Sequence, residues 1–227
     1  MIFLVGRALV PARRHSCRRS AITSIALLAA LLPLAAAEQD DLAYHALIQR
    51  ARSGDRTVDY SQFRLICMKS ALCQPRGSKP DLAALNIAVQ AKQLQKAAEI
   101  GERLVDQGFV NVEAHATLIK VYAGLHQPQK SLFPFTTYTA LHRSILGSGN
   151  GKTKQTAYHV ITDREEYILL GSLGLPYSGD AVVTKRVETD GPHTYNHWEI
   201  RDPKTSQLQT IFFNLDAFTP EKSHPRD

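Results

Sequence analysis

Residues 140–171 read ALHRSILGSGNGKTKQTAYHVITDREEYILLG, and this stretch changes structural pattern twice. Its first apolar residues have helical spacing and end at Leu146. Three glycines follow at alternate positions, residues 157–161 favour a β-strand, and Thr162 with two acidic residues after it predicts a helix start. The chain before this stretch has helical patterns, and the chain after it has mostly strand patterns. The sequence therefore predicts an α+β fold, with an N-terminal helical part and a small C-terminal antiparallel sheet.

Residues 1–37 have the composition of a signal peptide. They contain five arginines, an apolar run at 21–34, and three alanines before Glu38. This order of basic, apolar and small residues predicts cleavage after Ala37 and export to the periplasm or the exterior. A retained membrane anchor is the alternative, but a membrane-spanning helix needs about 20 apolar residues and Pro33 interrupts this shorter run.

The basic character of the chain comes from this leader. The whole chain has 27 Lys and Arg against 21 Asp and Glu, a net charge of +6, with a pI near 9.3. Without the leader the two kinds of charge nearly cancel, so the pI is no argument for nucleic-acid binding. We expect no nucleic-acid partner and, after cleavage, no membrane association.

Residues 38–146 are predicted to be helical. One continuous helix is expected over 81–107, ending at Gly108, and Asn111 is a good N-cap for the next. This pair resembles one tetratricopeptide unit, in which small residues let the helices approach closely. Three further helices are predicted: 40–52, one capped by Asp59, and one from Pro128 that is interrupted at Pro134.

Residues 147–217 are predicted to form an α/β part. Strands at 181–187, 197–201 and 209–215 would form an antiparallel meander, with turns at 189–192 and 202–205. Residues 158–161 could add a fourth strand. The polar, proline-bearing segment 218–227 is predicted to be a disordered tail.

Cys67 and Cys73 are the cysteines that follow the leader. On one continuous helix, residues six apart lie about 9 Å apart along the axis, too far for a disulfide. They could pair only if the helix ends between them, so at this point both the disulfide and two free thiols remain open.

The segment GSGNGKT, residues 147–153, invites comparison with a phosphate-binding loop. Such a loop needs glycine five positions before the Gly-Lys pair and lies between a strand and a helix. Here Leu146 stands at that position, with a helix before the loop and a strand after it. We therefore interpret the glycines as a helix C-cap at Gly147 and a turn, with weak anion binding by Lys152 and Thr153 as the alternative.

Other polar residues give weak signals for chemistry. His193 and His197 would share one face on a helix, but their context predicts a strand, where they are about 13 Å apart and cannot share an ion. Glu165 and Glu166 are interpreted as charges that stabilise a helix start. We predict no metal, no cofactor and no catalytic residue set.

The central segment also resembles a known family. The residues concerned are the run 144–153, the strand 157–161, Glu165-Glu166-Tyr167, the turn 202–205 and Phe212-Phe213-Asn214. Together they resemble exported bacterial proteins grouped as domain of unknown function 4919, from about residue 59 to 215. Members usually have Gly-Asp-Gly-Lys where this chain has Asn150 in the second position. The resemblance implies this fold and export, but no chemistry, since no activity is established for the family.

Two hypotheses on function follow. The first is an exported, non-catalytic protein-interaction module with a protein partner in the cell envelope. The alternative is a periplasmic hydrolase or small-ligand-binding enzyme with its site where helices and sheet meet. Candidate site residues in the loop or at this seam are Gly149, Gly151, Lys152, Thr153, His159, Glu166, Tyr167, His193 and His197.

Overall fold

The computed structural model describes residues 21–75, 79–177, 182–201 and 205–217, and side chains within these ranges from residue 37 onward, except those of residues 79 and 182. The predicted tail 218–227 and most of the predicted turn 202–205 lie outside these residues. From Ala37 onward the chain forms one compact unit. Among the described residues, no helix has both the length and the apolar character needed to cross a membrane.

In the described residues, six α-helices precede the glycine loop and a seventh follows it. The helices are α1 Ala21–Arg52, α2 Tyr60–Lys69, α3 Lys79–Gln90, α4 Leu94–Gln107, α5 Val112–Gly124, α6 Pro128–Leu146 and α7 Asp163–Ser172. A short 3₁₀ helix covers Lys154–Thr156. The strands are β1 Tyr158–His159, β2 Val182–Asp190, β3 His193–Arg201 and β4 Leu208–Asn214. The predicted α+β architecture, with helices first and the sheet last, is confirmed.

Several predicted helix caps are present. The Asp59 carboxylate accepts hydrogen bonds from the amides of Ser61 and Gln62, and Asn111 caps α5 through the amide of Ala114. Thr162 caps α7 through the amide of Glu165. Each cap satisfies backbone donors that have no partner inside the helix, which is why these helices begin where they do.

The predicted single helix over 81–107 is wrong. The chain turns at residues 91–93, where Lys92 adopts a left-handed conformation with φ of 56°, and α3 and α4 pack together. His126, 34 residues later, makes the corresponding turn between α5 and α6 with the same φ. The helical part thus contains two helix-turn-helix units rather than one, at the spacing typical of tetratricopeptide repeats.

The predicted interruption of the last helix at Pro134 is also wrong, because α6 runs through it. Proline removes one backbone donor from a helix and crowds the preceding turn. Here Pro134 lies on the buried face of α6 with Thr137 and Leu141, and we attribute the continuity of the helix to the packing of this face.

The sheet has the strand order β1-β4-β3-β2. β2, β3 and β4 form the predicted antiparallel meander, with Val187 opposite Asn196 and His197 opposite Phe212. β1 is shorter than predicted and pairs parallel to β4, so the complete sheet is mixed rather than antiparallel. A parallel pairing needs a long connection between the two strands, and α7, β2 and β3 lie between β1 and β4 in the chain.

The two cysteines form a disulfide in the structure. α2 ends at Lys69, between Cys67 and Cys73, and their Cα atoms are 5.2 Å apart. Cys67 is buried beside an aromatic cluster in which the rings of Phe63 and Phe109 stack at 5.2 Å. The disulfide holds the end of α2 close to this core.

Candidate functional site

The first turn of α7 contains two adjacent glutamates, Glu165 and Glu166. Their side chains diverge and they lie at the helix start, as predicted, but both are buried, at 1% and 0% exposed, which the sequence did not indicate. Burying a carboxylate is costly unless it is paired and hydrogen bonded. Each glutamate has such partners, and the two sets come from opposite halves of the protein.

Glu165 pairs with Arg64 of α2. The guanidinium donates to both carboxylate oxygens, at 3.1 and 2.6 Å, and also to the main-chain oxygen of His159 at 2.8 Å. The same carboxylate accepts a hydrogen bond from the amide of Ile161 at 2.8 Å. Since Arg64 is 3% exposed, this is a buried ion pair joining α2, β1 and α7.

Glu166 faces the sheet. Its oxygens accept hydrogen bonds from the Asn196 amide at 2.5 Å and from the Trp198 indole at 2.8 Å. The Lys185 ammonium lies 2.9 Å from the carboxylate and 4.9 Å from the Trp198 ring centroid. These contacts hold α7 against β2 and β3, while the side-chain oxygen of Asn196 is buried without a hydrogen-bond partner among the described residues.

A second polar cluster lies on the other face of the sheet. His197 Nδ1 is 2.5 Å from the Glu188 carboxylate, which also receives Lys154 at 3.0 Å. The hydrogen bond with His197 is the largest of the effects that lower the pKa of Glu188. The His197 ring stacks on Phe212, with 4.4 Å between ring centroids. This cluster links the 3₁₀ helix to β2 and β3 through charges that compensate one another.

The glycine loop uses its amides internally. The amides of Asn150 and Gly151 both donate to the Thr156 carbonyl, at 2.9 and 2.8 Å, and that of Lys152 donates to the Asn150 side chain. Thr153 and Thr156 bond each other through side chains and backbone. Because these amides have partners, the loop lacks the convergent free donors that an anion cradle needs.

Gly147 is the C-cap of α6, as predicted, but it lacks the left-handed conformation that glycine usually supplies at a helix end. Gly147 has a φ of −73°, in the right-handed region, and the left-handed residue is Gly151 with φ of +67°. An added Cβ at Gly151 would meet the Tyr158 ring at 2.7 Å. At Gly149 it would meet the Thr156 carbonyl oxygen at 2.4 Å. Glycine is therefore required at 149 and 151 by close packing of the loop.

The remaining candidate residues lie apart. His193 is exposed at the start of β3 and contacts Asp216 at 2.6 Å, whereas His159 exposes its side chain on β1. Tyr167 packs edge-on against Trp198 on the α7 side of the sheet. The candidate side chains at the seam therefore do not meet in one pocket; they are Lys152, His159, Glu166, Tyr167, His193 and His197. Within the described ranges, no group of three His, Cys, Asp or Glu residues is arranged to hold a metal.

A groove lies along α6. It measures about 550 Å³ and runs between α6 and the connection from α1 to α2. Leu132 and Phe135 are 58% and 55% exposed there, although large apolar side chains are usually covered. The residues of this α6 groove are Ala51, Arg52, Gly54, Asp55, Arg56, Val58, Tyr60, Leu132, Phe133, Phe135, Thr136, Thr137, Thr139, Ala140 and Arg143.

The charged lining of the α6 groove is mostly basic. Asp55 pairs with Arg50 at 2.7 Å and accepts hydrogen bonds from Thr57. The side-chain hydrogen bond from Thr57 is the largest of the effects that lower the pKa of Asp55 to about 2. Arg52 pairs with Asp106 at 2.6 Å. Arg56 and Arg143 are exposed, and the described residues supply no ion-pair partner for either.

Phe135 also borders a second groove of about 440 Å³, on the other side of α6. Tyr138, Tyr167 and Tyr177 contribute aromatic rings to it. Neither groove was predicted from the sequence. The available signal for an exposed apolar surface was the spacing of Leu132, Phe135 and Thr139 along one face of a helix whose opposite face is also apolar. It also missed the ion-pair partners Arg64, Lys185 and Glu188, for which no local pattern exists.

Comparisons with known proteins identify a family but no activity. No curated protein and no solved structure matches the chain. A family model described as Domain of unknown function (DUF4919) matches residues 36–218, which include every helix and strand from α2 to β4 as well as the exposed α6 groove. The match confirms the resemblance found in the glycine loop and the adjoining elements, and the protein belongs to the DUF4919 family.

Proposed function

We propose that this protein is an exported, non-catalytic interaction module that holds a segment of a protein partner in the α6 groove. The observation that carries the proposal is the exposure of Leu132 and Phe135 in a concave surface of about 550 Å³. Contiguous exposed apolar surface of this kind marks interaction sites in soluble proteins. The dispersal of the polar candidates, several of which are engaged in structural contacts, supports binding over catalysis.

The charges of the groove specify the partner further. Arg56 and Arg143 have no ion-pair partner among the described residues and can pair with carboxylates of a ligand, whereas Asp55 of the lining is already bound to Arg50. Arginine forms bidentate hydrogen bonds with carboxylates, and complementary charges favour association and specificity. The expected ligand is an acidic segment of a protein with apolar anchors that cover Leu132 and Phe135.

Export is part of the proposal. It rests on the basic and apolar leader, on the alanines at 35–37, and on the disulfide, which suits an oxidising compartment. Mass spectrometry of the protein purified from its own host should find Glu38 at the N-terminus. A chain that still begins at Met1 would contradict export by cleavage.

Photo-crosslinking in the host tests the groove. A benzophenone amino acid at Leu132 should form an adduct with a protein partner, whereas one at Leu208 should not, because Leu208 is similarly exposed but lies on β4. Combining Arg56→Glu with Arg143→Glu should reduce the Leu132 adduct at least tenfold, since it reverses the charges facing the partner.

The matched charge control is Arg186→Glu on β2, which leaves the groove intact. Adducts of equal yield from Leu132 and Leu208, or an adduct insensitive to the double reversal, would contradict the proposed site. Loss of the adduct as ionic strength rises would support the charge contribution.

A further inference from the structure

β2 forms one edge of the sheet. It pairs with β3 along all nine of its residues, Val182–Asp190, and no other described strand lies on its outer side. A strand of this length is about 30 Å long, at roughly 3.3 Å per residue. Long open edges are a liability in natural proteins, because their free backbone groups can pair with another strand.

The backbone hydrogen bonds identify which groups of β2 face outward. The amide of Leu215 donates to Thr194, and the amide of Phe212 donates to Gly151 on the far side of β4. Along an antiparallel strand, successive residues point their N–H and C=O groups alternately to one neighbouring strand and to the other. This alternation continues from strand to strand across the sheet. Through the observed register, the N–H and C=O groups of Val183, Lys185, Val187 and Thr189 point away from β3.

We infer that β2 pairs antiparallel with β2 of a second copy of this chain, with the two-fold axis at Val187. In this register Val187 faces its own mate as a hydrogen-bonded pair, and Lys185 faces Thr189 of the other copy. Arg186 then lies directly opposite Glu188, in a close pair without backbone bonds. The directions of the backbone groups agree with this register. Lys185, Val187 and Thr189 would form the hydrogen-bonded pairs, and their N–H and C=O groups are those that point away from β3.

Charge favours this register over its neighbours. Moving the axis by one residue would place either Arg186 or Glu188 opposite its own copy, and like charges directly opposite each other are destabilising. With the axis at Val187, opposite charges meet on both sides of the centre. Val187 itself is 68% exposed on the single chain, and its mate would cover it. This inference does not depend on the proposed role of the α6 groove.

Cysteine crosslinking tests the register. In a Val187→Cys variant the two new cysteines would have Cα atoms about 5.5 Å apart, within the range of a disulfide. A mild oxidant should therefore convert most of this variant to a covalent dimer. Thr189→Cys is the matched control on the same strand, since its two copies would lie about 13 Å apart in this register and should form at least tenfold less dimer.

Mass measurement provides the second test. Native mass spectrometry or sedimentation of the exported protein should show a dimer, and Val187→Pro should convert it to a monomer with unchanged circular dichroism. Proline is tolerated here because the Val187 amide points away from β3. A monomer at all concentrations, or equal crosslinking through positions 187 and 189, would overturn the inference.

Discussion

Replacing Arg64 by alanine should lower the free energy of unfolding by about 3 to 5 kcal/mol, because it leaves the Glu165 carboxylate buried without its cation. Glu165 is 1% exposed, and the Arg64 side chain reaches it with two hydrogen bonds. The substitution also removes the donor that satisfies the His159 carbonyl. Urea unfolding followed by circular dichroism measures the change.

Arg103→Ala is the matched control for this prediction. Arg103 pairs with Asp81 at 2.9 Å, but its side chain is 51% exposed. Solvent screening makes such surface pairs weak, so this variant should lose less than about 1 kcal/mol. Equal losses in the two variants would mean that the Arg64 pair is solvated in solution, contrary to the structure.

Gly151→Ala is expected to lower the free energy of unfolding by about 2 to 5 kcal/mol. The left-handed backbone, with φ of +67°, strains any residue with a Cβ by roughly 1 to 2 kcal/mol. The added Cβ would also lie 2.7 Å from the Tyr158 ring and 3.1 Å from Ile211, and overpacking of this kind costs typically 1 to 3 kcal/mol.

Gly174→Ala separates the two contributions. Gly174 has nearly the same backbone, with φ of +70°, but nothing lies within 4 Å of its Cβ position. It should therefore lose only the backbone contribution, about 1 kcal/mol. If both glycine variants were equally stable, close packing at Gly151 would not explain its presence, and a ligand role for the loop would return.

Binding of a partner can be separated from these stability effects. The residues that stabilise the seam, Arg64 and Gly151, lie outside the lining of the α6 groove. Variants there should change unfolding without a direct effect on the partner contacts. Conversely, Arg56 and Arg143 are exposed, so their substitution should leave the free energy of unfolding nearly unchanged.

Local sequence patterns predicted the elements whose causes are local. The caps at Asp59, Asn111 and Thr162 follow from side chains that bond amides two or three residues away. The meander of β2, β3 and β4 follows from alternating residues and turn residues between the strands. In each case the stabilising contact lies within a few residues of the signal, so the chain alone predicts it.

Predictions failed where packing between distant segments decided the outcome. Residues 91–93 contain neither glycine nor proline, yet the chain turns there, and α3 and α4 pack together across the turn. Pro134 stays in α6, whose buried face includes it. Propensities are weak compared with the burial of a helix face, and tertiary packing overrides them.

Local patterns in the chain were enough to predict that the helices precede the strands, and the central motif was enough to predict the family. The tertiary structure set the burial of Glu165 and Glu166, because the Arg64 side chain is 101 residues from Glu165 in the chain. It also decided which apolar residues of α6 stay exposed, since Leu132 and Leu141 look alike in sequence. The physical reason is that a side chain's burial depends on segments that the fold brings together from far along the chain, whereas helix caps and turns depend on their immediate neighbours.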